Sequence, residues 1–107
     1  MDRPVLEGHL NMKVKGKIRS SFKPHYARLY PSCMSIFASQ SAPSAVWELN
    51  LGENTVVEST TDKKSSFRVG GDVEGDFEAN SPAERDSWIE QIHTCVAITK
   101  DRNRQRA

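Results

Sequence analysis

The spacing of apolar residues changes period along this chain. Through most of its length, apolar residues recur at every second position, and near its end they recur at spacings of three and four. Period two belongs to strands with one buried face, and the longer period belongs to an amphipathic helix. Leu10, Met12 and Val14 alternate with His9, Asn11 and Lys13, giving a first strand over about 7–14. A second strand over about 25–30 sets His25, Ala27 and Leu29 against Tyr26, Arg28 and Tyr30. Met34, Ile36 and Ala38 mark a third over about 33–39, and Trp47, Leu49 and Leu51 a fourth. Shorter strands are expected near 55–58, 66–69 and 76–79, with Gly70-Gly71 as a turn signal. Ser81-Pro82-Ala83-Glu84 then combines an N-cap serine, a proline suited to the first helical position and a glutamate three residues after the cap. Trp88, Ile92, Cys95 and Thr99, flanked by Ile89 and Val96, make the apolar stripe of a helix over about 82–99. Glu84, Arg85, Glu90 and Gln91 fall mainly on its wet side, and the pattern fades into a basic tail or linker over 100–107. Seven short strands followed by one helix describe a mainly β domain, a small antiparallel sandwich or partly open barrel covered at one end by the helix.

At 107 residues the chain accommodates one such domain and no second. No apolar stretch approaches the roughly 18–20 residues needed to cross a bilayer, and the first residues lack the apolar centre of a signal peptide. A cytoplasmic protein is the expectation. Cys33 and Cys95 are too few for a disulfide framework and have no zinc spacing, so both are expected as buried, reduced thiols. The formal net charge of +1 conceals a division along the sequence. Residues 1–30 hold seven basic residues against two acids, residues 31–90 four against eleven, and residues 91–107 four against one. The blocks are therefore +5, −7 and +3, a polarity that can orient a domain toward an anionic surface.

Several local patterns, in this order and spacing, resemble a pleckstrin homology (PH) domain over about residues 6–99. They are Glu7-Gly8-His9-Leu10, His25-Tyr26-Ala27-Arg28-Leu29, Met34-Ser35-Ile36-Phe37, Phe77-Glu78-Ala79, and Ser81-Pro82-Ala83-Glu84-Arg85-Asp86-Ser87-Trp88-Ile89 with its tryptophan at Trp88. The resemblance implies a bent seven-stranded antiparallel barrel or sandwich capped by one C-terminal helix, with residues 1–5 as a lead-in. It also implies a non-catalytic, peripherally membrane-associated module that holds a phosphoinositide headgroup in the open end between the first two strands. Lys13, then Lys23 and His25, stand nearest the basic signature of the binding members. His25 departs from that signature, since those members carry arginine there. Histidine is mostly neutral at pH 7 and cannot make the bidentate phosphate contact of a guanidinium. Arg28 has the opposite parity to His25 and is expected to point outward.

Lys13, Lys15, Lys17 and Arg19 occupy every second position, so an extended ribbon projects all four to one side and Val14 and Ile18 to the other. Lys23 and His25, returning on the next strand, are expected at the same pocket mouth. With Arg28 these residues form the candidate headgroup site. Each cation near an anionic leaflet contributes roughly 1 kcal/mol, so four or five supply about 4–5 kcal/mol, which corresponds to only millimolar binding or somewhat tighter. Stable recruitment then needs a seated headgroup, a second contact, or an inserted apolar residue, for which Ile18 and Phe22 are the candidates. The alternative is a protein-interaction module on the same scaffold, with the acidic stretch Asp72, Glu74, Asp76 and Glu78 facing a basic partner.

The three histidines have no nucleophile or metal-ligand spacing and there is no phosphate-cradling glycine loop, so neither an enzyme, a metal nor a cofactor is expected. Tyr26 and Tyr30 beside basic residues are a weak signal for nucleic acid, which the acidic middle of the chain opposes. The isolated domain is expected to be a monomer.

Overall fold

The computed structural model describes residues 3–15, 20–61, 63–71 and 73–106. The elements are β1 (Leu6–Lys15), β2 (Ser20–Leu29), β3 (Cys33–Phe37), β4 (Trp47–Asn50), β5 (Val56–Ser59), β6 (Ser66–Gly70), β7 (Gly75–Glu78) and α1 (Pro82–Arg106). All seven strands belong to one antiparallel sheet in the order β4-β3-β2-β1-β7-β6-β5, which leaves β4 and β5 as its edges. This is the mainly β fold with one C-terminal helix that the alternation implies.

The alternation also fixes what the sheet encloses. Leu10 and Met12 of β1, Ala27 and Leu29 of β2, Met34 and Ile36 of β3, and Leu49 of β4 turn to one side. They join Phe67 and Val69 of β6 and Phe77 of β7 in a single buried cluster. The Phe67 and Phe77 rings stack with centroids 5.5 Å apart. The two halves of the sheet are hinged at β1, which makes ten paired positions with β2 and only two, Asn11 with Glu78 and Met12 with Phe77, with β7. Gly71 turns the chain between β6 and β7 at φ 92°, where a Cβ would also collide with the Asn54 carbonyl, so this turn requires glycine.

The helix closes over this core. Ser81 Oγ accepts the Glu84 amide (3.1 Å), the N-cap interaction expected of that serine. Trp88, Ile92, Cys95 and Val96 are buried, while Ile89 packs at the margin. His93 reaches back from the helix, and its Nε2–H donates to the Val57 carbonyl (3.1 Å), tying α1 to the edge strand β5. Burial pushes the Cys95 thiol above its usual pKa, while Cys33, only half-buried, departs from the expected enclosed thiol. No helix among the described residues is long and apolar enough to cross a membrane.

Two boundaries differ from expectation for identifiable reasons. The second strand begins at Ser20, five residues before the expected start, and carries Pro24 within it. Proline lacks the amide a central strand needs, but β3 pairs only with Tyr26–Leu29, so Pro24 lies where β2 has no neighbour on that side. The helix runs to Arg106 rather than fading after Thr99. The apolar stripe ends where the helix stops covering the core, yet the remaining Lys, Arg and Gln residues are good helix formers, and cations near a C-terminus complement the macrodipole.

Candidate functional site

The β1–β2 hairpin is the longest ladder in the sheet and reaches beyond its neighbours, and its register decides what each candidate side chain faces. Residue pairs across it are Glu7 with Arg28, His9 with Tyr26, Asn11 with Pro24 and Lys13 with Phe22 on one face. Leu10 with His25, Met12 with Lys23 and Val14 with Ser21 occupy the other. Because Leu10 and Met12 are core residues, the second face is the inner one, and Lys23 and His25 stand on it at the margin of the core, His25 half-buried opposite Leu10 and Lys23 exposed opposite Met12.

Lys13 is therefore not beside Lys23 and His25. The expectation that they meet at one pocket mouth is corrected by the register, which pairs each odd-numbered residue of β1 with an even-numbered residue of β2. The residue directly opposite Lys23 is Met12. Lys13 lies on the outer face, with Nζ 5.9 Å from the centroid of the half-buried Phe22 ring. Lys17, Ile18 and Arg19 lie outside the described residues, as does the side chain of Lys15; the Lys15 backbone pairs with Ser20.

Arg28 faces outward, as its parity requires, and is held there. Its Nε donates to Glu7 Oε2 (3.2 Å) and its Nη2 to the Gln40 carbonyl (3.4 Å). Its guanidinium lies 4.7 Å from the Phe37 ring centroid and 5.5 Å from that of Tyr26. His9 meets the same Tyr26 edge-on at 5.1 Å. Burial, reinforced by Glu7, raises the Tyr26 hydroxyl pKa above its usual value. This cluster binds β1, β2 and β3 together on the side away from the core.

His25 is held by its own strand. Its Nδ1 lies 2.8 Å from the Lys23 carbonyl, an acceptor, so Nδ1–H is the donor of this bond. Trp47 completes the rim. It opens β4 opposite the buried Ile36, on the inner face, and its ring reaches to 3.3 Å from where a Cβ on Gly75 would lie. The alternation marked Trp47 only as a strand residue; its neighbour Val46, also exposed, carried no signal at all. A cavity of about 390 Å³ lies at the other end of β1, between Leu6–His9 and the first turns of α1 at Glu84, Ser87 and Trp88. It contains none of the candidate residues.

A bent seven-stranded sheet, a basic first hairpin and a helix entered through Ser81 with Trp88 on its buried face together match one family model, the PH domain, over residues 4–97. The chain belongs to the PH domain family. Comparison with curated protein sequences found no match. Solved structures agree on the fold. The PH domain of human oxysterol-binding protein-related protein 11 is similar at a TM-score of 0.78 and 16% identity, over 90% of this chain and 83% of that one. The C-terminal PH domain of pleckstrin, solved with D-myo-Ins(1,2,3,5,6)P5, gives 0.75 and 22%, over 90% and 98%. The Slm1 PH domain, solved with inositol-4-phosphate, gives 0.72 and 18%, over 89% and 98%.

Proposed function

We propose that this PH domain is a non-catalytic membrane-targeting module. It binds the headgroup of a phosphoinositide, or another anionic phospholipid, at the hairpin end of β1 and β2 and so recruits a larger signalling or trafficking protein to a cytoplasmic membrane surface. The observation that carries the reading is the pair Lys23 and His25, set on the inner face of the hairpin at the margin of the core, within a segment of net charge +5. The pleckstrin and Slm1 domains, solved with inositol phosphates, support it by their shared fold.

In this reading Lys23 and His25 contact the phosphates, and Lys13, Lys15, Lys17 and Arg19 add attraction to the anionic surface around them. Arg28 is left out of direct contact, because Glu7 already offsets its charge. One lysine and one histidine on the inner face give a shallow site, so charge from the rest of the hairpin is needed to reach useful affinity.

The test is cosedimentation with vesicles differing only in phosphoinositide, at physiological salt. Each charge reversal removes about 1 kcal/mol and adds comparable repulsion, so Lys13→Glu with Lys23→Glu should weaken binding by more than about tenfold. Unchanged binding of that folded variant would overturn the reading.

One observation favours a protein partner instead, namely the division of the cations between two faces of the hairpin. Under that reading, reversal at Glu74 and Glu78 weakens capture of a basic partner and the lysine reversals do not.

A further inference from the structure

The connection between β3 and β4 is unlike the rest of the chain. In a protein whose residues are 27% charged, positions 29–47 contain no Asp, Glu, Lys or Arg. This stretch ends in two adjacent exposed apolar side chains, Val46 (57% exposed) and Trp47 (38% exposed). They are not the tip of a loose loop. The Val46 amide donates to the Ile36 carbonyl (2.7 Å), and Trp47 pairs with Ile36 as the first rung of β4. A fixed backbone therefore presents both side chains to water, at a standing cost in exposed apolar area.

Their position relative to the basic hairpin follows from the register. Trp47, Ile36 and Ala27 form one row across β4, β3 and β2 on the inner face, and His25 lies two residues beyond Ala27 on that same face. Two strand spacings separate Trp47 from β2, about 10 Å. Across the rim, Gly75 has no side chain to displace the Trp47 ring. An uncharged, aromatic-tipped connection, bounded by Glu48, thus borders the end of the hairpin that carries Lys23 and His25. A bilayer surface has the same two components, anionic headgroups beside an interfacial layer that favours tryptophan.

We propose that Val46 and Trp47 insert into the interfacial layer of an anionic bilayer while the Lys23 and His25 end of the hairpin engages the headgroups. The β3–β4 connection is the membrane anchor in place of Phe22, which is half-buried against Lys13. This rests on the lipid-binding reading above and adds a second, apolar contact to it.

The two tryptophans make the test direct, because Trp88 is only 3% exposed and Trp47 dominates any change in emission on binding. The probes are phosphatidylcholine–phosphatidylserine vesicles containing a phosphoinositide, with and without bromine on the upper acyl chains, and a soluble inositol phosphate. Insertion predicts a blue shift and quenching by the brominated vesicles, with emission unmoved by the soluble inositol phosphate. Val46→Asp, at a side chain outside the core, should lower vesicle partitioning about tenfold. Vesicle binding without quenching, together with unchanged binding of Val46→Asp, would overturn insertion and leave the lipid reading standing. A shift of Trp47 emission by the soluble inositol phosphate alone would place Trp47 in the headgroup site and overturn insertion as well. Absence of binding to both vesicles and soluble inositol phosphate would overturn both.

Discussion

Single residues here are assigned by the face on which they stand rather than by charge. Lys13 and Lys23 are both lysines of one hairpin, yet one lies over Phe22 and the other opposite Met12. Arg28 carries a full charge and spends it on Glu7, the Gln40 carbonyl and two aromatic rings. Ser66 shows the same logic inside the fold. It is fully buried, its Oγ accepts the Lys63 amide (3.0 Å), lies 2.7 Å from Thr60 Oγ1, and has the Lys63 and Thr60 carbonyls as acceptors for its own proton. One hydroxyl thereby satisfies the turn that joins β5 to β6. Ser66→Ala removes the acceptor of the part-buried Lys63 amide and should cost about 1 kcal/mol in urea unfolding, whereas a loss below about 0.5 kcal/mol would show that the turn holds without it.

Elements were legible in the sequence where packing wrote them. Period two in β1, β3, β6 and β7 and the stripe from Trp88 to Val96 exist because each element buries one side against the shared core. Where a segment buries little against the shared core, the signal fails although the backbone keeps its regular form. The first residues of β2 extend past β3, and the last turns of α1 extend past the sheet. Lys100, Asp101, Arg102 and Asn103 are all exposed. Truncation after Thr99 should therefore cost less than about 1 kcal/mol in urea unfolding, since the described side chains it removes, Lys100 to Asn103, are exposed. A loss above about 2 kcal/mol would mean that these turns pack in a way their exposure denies.

At the scale of the whole molecule, the near-zero net charge divides into a basic hairpin, an acidic middle and a basic end. The family was legible from local patterns in order, because the fold fixes Trp88, the N-cap at Ser81 and the alternation at their spacings. The candidate site was only half legible. Composition located the basic hairpin, but which cations share a face depends on a register that no single strand reveals. Trp47 was hidden because a rim residue and a core residue alternate identically.

The lipid-binding proposal places an inositol phosphate headgroup on the inner face at the hairpin end. Titration of a soluble inositol phosphate, followed by backbone amide chemical shifts, tests it most directly. Perturbations should centre on Val14, Ser21, Lys23 and His25 and spare Glu7 and Arg28. Shifts centred instead on Glu7, Arg28 and Phe37, or no shifts at all, would contradict it.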